Sequence, residues 1–436
     1  MPKKIVKNIL FSGIEQFILI ISQFISSIII IRNLPREDYG ILGVIAGYYV
    51  FFNFFNITAE SIILRDHEKF KNNIINVLRN FSAFSILKTG LIFILSLILA
   101  FLLFFFYHKI EVFYAVGISF FVLSGQALVS PFVIYYSAKY NQKLVTKITS
   151  LKTFIRLIAL CGLFYYNNLY YYFLVELMVN IIYCFFWYMK AYSKLGLNFF
   201  TIFCFNKVDW KFIKSSIAGY SIWIHLNGVV TNFVYRSDTI FLSFFTGLAE
   251  IGNYNISLNS ANIANIIPSI LGYQNSVALS NISTNEEIEK TTNGFLKVSF
   301  YIGVFTFIGF VIFGVPFLNL ITGQKDVSGM FYYMLLIVLS LIIIKTISSP
   351  FVALINIKGN VKEFFFRVSL PLFLFVIITY TLGAYKFGVL GVAFANVINA
   401  IFWLLLVIKE FKKYNYKISL KINPRFDYLE LKNYMK

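Results

Sequence analysis

Charge is scarce in this chain. Only 13% of its 436 residues are Asp, Glu, Lys or Arg, where soluble globular chains average about 25%. So little polar surface excludes a soluble globular protein of this length. Cysteine and histidine are scarcer still, at three each. Cys161, Cys184 and Cys204 lack metal-ligand spacing, and their odd number implies no disulfide framework. No two histidines stand at i, i+4, so no metal site has its ligands, and no G-x-x-x-x-G-K-[ST] nucleotide loop occurs. No cofactor is implied.

What the chain has is apolar: 59% hydrophobic residues, 19% aromatics and a mean hydropathy of +0.76. A bilayer crossing needs about 20 apolar residues. Twelve stretches qualify, near 9–31, 39–62, 83–107, 112–137, 148–167, 169–189, 213–235, 239–271, 294–322, 328–356, 364–385 and 388–408. The seventh and eighth have open edges: the seventh can run on through Asp238 to Phe245, with the eighth starting near Ala249. The N-terminal apolar run is too long for a signal peptide and lacks a small-residue cleavage site, so it reads as a first spanning helix. The expected fold is an all-α polytopic membrane protein of about twelve transmembrane helices.

The 38 Lys and Arg side chains follow this pattern. Thirty fall in the N-terminus, the C-terminus and alternate gaps, six in the remaining gaps, and two, Arg156 and Lys345, inside helices. Positive residues mark the cytoplasmic side, so both termini are expected inside. The net charge of +19 is thus explained by the membrane and implies no nucleic acid partner.

The halves repeat. SPFVIYYSAKYNQK (130–143) matches SPFVALINIKGNVK (349–362), VNIIYCFFW (179–187) matches ANVINAIFW (395–403), and PREDYGILGV (35–44) matches GLAEIGNYNI (247–256). The three offsets, 219, 216 and 212, nearly coincide, which implies duplication of a six-helix unit in parallel orientation. Such an arrangement puts a substrate path between two bundles. The expected organisation is an N-terminal lobe over 1–195, a linker over 196–212, a C-terminal lobe over 213–410 and a basic tail over 411–436.

Particular residues now stand out. Arg32, Leu34, Tyr39 and Gly40, then Asp238, Leu242, Gly247, Gly252 and Tyr254, then the run FGVLGVAFANVINAIFW (387–403), together resemble the polysaccharide flippases. These are the Wzx-type O-antigen and repeat-unit transporters of the multidrug/oligosaccharidyl-lipid/polysaccharide exporter superfamily. The resemblance runs over essentially the whole chain, on motifs that are mostly glycines and aromatics. It implies two six-helix lobes around a central hydrated cavity open alternately to either side. It also implies an undecaprenyl-pyrophosphate-linked oligosaccharide as cargo, carried from the cytoplasmic to the periplasmic leaflet of a bacterial inner membrane. The polymerase and chain-length machinery of the same pathway would be partners, beside the membrane lipid itself.

Such a cargo needs a wet groove with cations for phosphate and amides for sugar, because isolated charges are costly to bury. On a wheel of about 100° per residue, Asn255, Asn259, Asn262 and Asn265 form one stripe about 120° wide. It suits cavity lining, and equally hydrogen-bonding glue between helices. Lys345 lies mid-way along its span, about 18 Å of helix from Lys358, too far to snorkel easily, and mid-membrane cations usually face a cavity or a partner. Gln126 is its repeat counterpart. Arg156 can line the path or snorkel from one turn beyond Lys152. Arg65 and Lys88 stand at the expected cytoplasmic mouth, as phosphate contacts or plain positive-inside residues.

Glu15, Glu60, Glu176 and Asp238 can pair with these cations or carry a coupling H+ or Na+, as intramembrane carboxylates often do. Asp238 and Arg236, near the outer end of the seventh helix, can also pair with each other or form a gate. The 29 Tyr and 52 Phe read mainly as lipid-facing and belt residues, YYNNLYYYF (165–173) among them. Two other functions fit the pattern: an ion-coupled small-molecule (multidrug) exporter of the same fold, and a polytopic membrane enzyme such as the repeat-unit polymerase. Against an enzyme, the outer gaps are short and carry no acid-His or paired-carboxylate cluster.

Overall fold

The computed structural model describes residues 3–56, 73–139, 141–196, 208–218, 220–265 and 284–418, with 267, 268, 271, 272, 275 and 279 between the last two. Glu60, Arg65 and Cys204 lie outside the described residues, as does most of the basic tail. Among the described residues the structure is helical, with no strand. They fall into two compact units, Met1–Val229 and Val230–Lys436.

The first unit holds α1 (Lys3–Asn33), α2 (Arg36–Phe55), α3 (Ile74–Tyr107), α4 (Ile110–Ala138), α5 (Gln142–Leu160), α6 (Leu169–Leu195) and the short α7 (Trp210–Ile217). Helix α8 (Tyr220–Arg236) runs across the unit boundary. The second unit continues with α9 (Asp238–Phe245), α10 (Leu248–Ala261), α11 (Asn285–Thr322), α12 (Ser328–Leu341), α13 (Ser349–Lys358), α14 (Val361–Phe364) and α15 (Leu370–Phe411).

Each of the twelve apolar stretches lies mainly on helix where it is described. Six helices are long and apolar enough to cross a membrane among the described residues. The last of them, Val361–Tyr414, is 54 residues long and folds back at Gly388, where φ 55° and ψ −136° suit only glycine. It therefore carries two of the twelve stretches. Its arms meet closely: a Cβ on Gly391 would lie 2.2 Å from the carbonyl oxygen of Gly383. Helix α9 follows α8 after the single residue Ser237, which keeps a helical backbone, so the seventh stretch does run on to Phe245. The chain then turns extended at Thr246 and Gly247 before α10 begins.

Local chemistry explains the breaks. His108 and Gly323 end α3 and α11 in the left-handed conformation, a common helix stop. The Asp209 side chain caps α7 by accepting from Phe212 N, and Asn360 caps α14 by accepting from Lys362 N and Glu363 N. Two π-helical turns, Ile342–Ile347 and Phe365–Ser369, each stop just short of a proline, Pro350 and Pro371. Proline has no N–H and its ring crowds the carbonyl four residues back, so the turn before it widens.

Two tryptophans that the sequence alignment of the halves pairs sit in similar surroundings. Trp187 and Trp403, equivalent by the 216 offset, are both buried, Trp187 beside Tyr136 and Trp403 edge-on to Phe364. Around Trp187 the first unit gathers Phe81, Phe132 and Tyr135 into its core. Elsewhere large apolar side chains face outward, among them Leu102 at 62% and Phe305 at 71% exposure. Exposed apolar area on this scale marks contact with something other than water, and here the span lengths identify it as lipid.

Candidate functional site: buried polar clusters in each unit

Lipid gives helices no hydrophobic reason to associate, so packing and interhelical polar contacts hold them. A buried polar cluster is therefore glue or machinery. The first unit has one along α5. Gln142, Thr146, Lys152 and Arg156 fall within about 120° on the helical wheel, and each finds a partner on α1 or α6. Gln142 Nε2 donates to Glu15 at 2.7 Å, and Thr146 Oγ1 donates to the same carboxylate at 3.2 Å. Lys152 Nζ sits 4.3 Å from the Tyr183 ring centre.

Arg156 closes the row. Its Nε and Nη2 both reach Glu176 Oε1, at 2.8 and 2.6 Å, while Nη1 donates to Ser26 Oγ at 3.0 Å. Arg156 thus spends its guanidinium across three helices rather than snorkelling, because an opposite charge on the neighbouring helix α6 satisfies more of it than the interface would.

The second unit holds a more enclosed chain of groups. Asp238, at the start of α9, is 1% exposed. Its Oδ1 accepts from Thr239 N at 2.8 Å and its Oδ2 from the Tyr254 hydroxyl at 2.6 Å. That hydroxyl accepts in turn from Asn396 Nδ2 at 2.8 Å. The Tyr380 hydroxyl lies 2.5 Å from Asn396 Oδ1 and 3.0 Å from the carbonyl of Val234, and donates to one or the other. One turn on, Thr379 Oγ1 donates to Asn399 Oδ1 at 2.7 Å, while Asn399 Nδ2 is buried with no hydrogen-bond partner among the described residues. The relay ties α8, α9, α10 and both arms of α15 around one carboxylate. Arg236 points outward and forms no ion pair with Asp238, which takes its bonds from Tyr254 and the backbone instead.

Lys345 lies on the π-helical turn Ile342–Ile347, half-buried. The wide turn is held by Ser348 N donating to Ile343 O at 3.1 Å, and Ser348 Oγ accepts from Trp403 Nε1 at 2.9 Å. Such turns frequently mark functional positions. The second π turn also carries a cation: Arg367 pairs with Glu363 at 2.7 Å and reaches Glu410 at 3.7 Å.

The asparagine stripe does not share one environment. Asn255 is buried, Asn259 exposed, and Asn262 and Asn265 half-buried. Helix α10 tightens into a 3₁₀ turn at Asn262–Asn265, where residues three apart eclipse, so those two stand one above the other. Gln126 is exposed on α4, unlike its repeat counterpart Lys345. Lys88 is 3% exposed, its Nζ 5.5 Å from the Phe84 ring centre. In the segments between spans, Lys109 Nζ pairs with Glu37 at 2.6 Å and holds that exposed carboxyl below its ordinary range. The belt expectation for 165–173 fits the exposure of Tyr165, Tyr166 and Tyr170, the last donating to Glu111 at 3.0 Å.

Sequence reasoning missed Asn396, Tyr380 and the polar face of α5. A signal existed for Asn396: the repeat aligns it with Asn180, which is buried and donates to Phe121 O at 2.6 Å. Tyr380 sat hidden among 29 tyrosines.

No family model and no curated protein matches this chain. Solved structures do. An inward-facing multidrug resistance MATE family transporter of the MOP superfamily matches with a TM-score of 0.61 at 13% identity, covering 91% of this chain and 96% of that one. A mutant of the Vibrio cholerae MATE transporter VcmN gives 0.59 at 14% identity over 94% and 97%. The lipid II flippase MurJ, in an inward closed conformation, gives 0.56 at 18% identity over 97% and 89%. The chain shares the fold of these transporters and this flippase.

Proposed function

We propose that this protein flips an undecaprenyl-pyrophosphate-linked oligosaccharide from the cytoplasmic to the periplasmic leaflet of a bacterial inner membrane, by alternating access. On this reading residues 1–195 and 213–410 are two lobes related by the parallel repeat, joined by 196–212, with both termini cytoplasmic and a hydrated path between the lobes. The lipid tail stays in the bilayer while the pyrophosphate and sugars use the path.

The observation that carries the reading is Lys345, a half-buried cation on a widened turn far from either end of its apolar span. A mid-membrane cation costs roughly 2.5–3.5 kcal/mol on insertion scales, and an anionic headgroup is a chemical reason to keep one there. Amides of Asn259, Asn262 and Asn265 offer both donors and acceptors to sugar hydroxyls. Coupling to H+ or Na+ falls to Asp238, whose enclosed carboxylate is held by a hydroxyl and amide relay able to rearrange when the charge changes. Glu15 and Glu176, already engaged with Gln142, Thr146 and Arg156, serve as structural partners.

A second reading is an ion-coupled exporter of small molecules. The Asp238 relay and the likeness to multidrug transporters favour it. One experiment separates them: delete the gene in its host and locate lipid-linked repeat units with sidedness probes on intact and inverted vesicles. Complete units trapped on the cytoplasmic leaflet support the flippase. Units on the outer leaflet that polymerise normally move the assignment to a small-molecule exporter, and single unpolymerised units there would point to a polymerase.

A further inference from the structure

Helix α7 is too short to cross a bilayer: eight residues span about 12 Å. It is also two-sided. Phe212 and Ile213 turn inward, Phe212 against Phe81 of α3 at 5.7 Å between ring centres and Ile213 to 3% exposure. Asp209 N, just before the helix, donates to Asn80 Oδ1 of α3 at 3.3 Å. Trp210, Lys211 and Lys214 remain exposed. An amphipathic helix with an outward Trp and lysines lies in the plane of a membrane interface.

Where α7 crosses α3 it leaves a groove of about 370 Å³, lined by Phe84, Leu87, Trp210, Ile213, Ile217 and Ile222. Its walls are apolar save for Lys214, which stands among the lining residues, and Lys211 lies one turn back on the same helix. Apolar depth with cations at the rim is the complement of an amphiphile that carries a phosphate.

We propose that this groove is a binding site for an anionic glycerophospholipid, one acyl chain lying against Phe84, Leu87 and Ile217 and the headgroup phosphate held by Lys214 and Lys211. Charge complementarity chooses this occupant. Of the gap 190–214, with its five Lys, α7 places Lys214 in the wall of an apolar groove and Lys211 one turn back on the same helix, and each basic residue at a membrane surface favours an anionic lipid by a similar increment. The proposal depends on the chain spanning a membrane and not on what it carries.

The test uses the purified full chain and native mass spectrometry with phosphatidylglycerol and phosphatidylcholine of matched acyl chains. The wild-type chain should retain one phosphatidylglycerol in preference to phosphatidylcholine. The K211Q/K214Q variant, altered only at exposed side chains, should bind phosphatidylglycerol roughly 30-fold more weakly while its phosphatidylcholine binding stays unchanged. Ala218→Trp, which fills the groove, should lose both lipids. Equal phosphatidylglycerol binding by the wild-type and lysine-free chains overturns the proposal, as does undiminished binding by the Ala218→Trp chain. Displacement of phosphatidylglycerol by equimolar undecaprenyl phosphate would also overturn it, by assigning the groove to cargo.

Discussion

The hydroxyl of Tyr254 stands 2.6 Å from Oδ2 of Asp238, and neither residue exposes more than 1% of its surface. That contact joins α9 to α10, and through Asn396 it joins both to the final hairpin. Tyr254→Phe removes the donor from Asp238 and the acceptor from Asn396 at once. Thermal denaturation in detergent should report a loss of about 1–3 kcal/mol. A variant as stable as the wild type would show that the relay contributes nothing to the fold.

Asp238→Asn keeps the shape and removes the ionisable group. Transport by this variant in proteoliposomes should no longer respond to an imposed H+ or Na+ gradient, while the chain still accumulates in the membrane. Continued gradient dependence would move coupling to another carboxylate.

Arg156 and Glu176 form an ion pair of 2.6 Å between α5 and α6. Removing one partner from a buried pair costs about 3–5 kcal/mol, whereas replacing both by apolar groups is often neutral. Glu176→Gln should therefore lower thermal stability clearly, and the R156M/E176L double variant should recover most of it. Failure of the double variant to recover would assign Arg156 a role beyond the pair.

Lys345→Ala should cut transport about tenfold or more, the weight of one charge-assisted hydrogen bond, while insertion and accumulation stay normal. Lys345→Arg should keep part of the activity. Wild-type transport by the alanine variant would remove Lys345 from the substrate path.

The Glu37–Lys109 pair gives a pH prediction. Lys109 lowers the Glu37 pKa from its ordinary 4.5, so the favourable contribution is complete above that value and is lost as pH falls through the depressed one. A carbon-13 titration of the Glu37 carboxyl should find its midpoint below 4.5, and Lys109→Met should raise it. An unmoved midpoint would mean the pair does not persist in solution.

The membrane class and the helical stretches were legible in sequence because each is local. A spanning segment must satisfy its own backbone within the bilayer, so span length and flanking charge show in the order of residues. The breaks were partly legible too: the gap between the stretches 364–385 and 388–408 marks the fold-back that the structure makes at Gly388, while the widened turns before Pro350 and Pro371 appear only in the structure.

Partner choice was not legible. Asp238 had an arginine two residues away, yet it bonds Tyr254, sixteen residues on, whose hydroxyl meets Asn396 a further 142 along the chain. Asn255, Asn259, Asn262 and Asn265 share a stripe by periodicity, yet their burial differs because neighbouring helices cover some and not others. By itself the sequence determined that the chain crosses a membrane as a series of apolar helices, since that follows from apolar length and charge. Only tertiary structure decided which polar groups meet, since in lipid a polar side chain settles with whichever partner the packing of distant helices brings within about 3 Å.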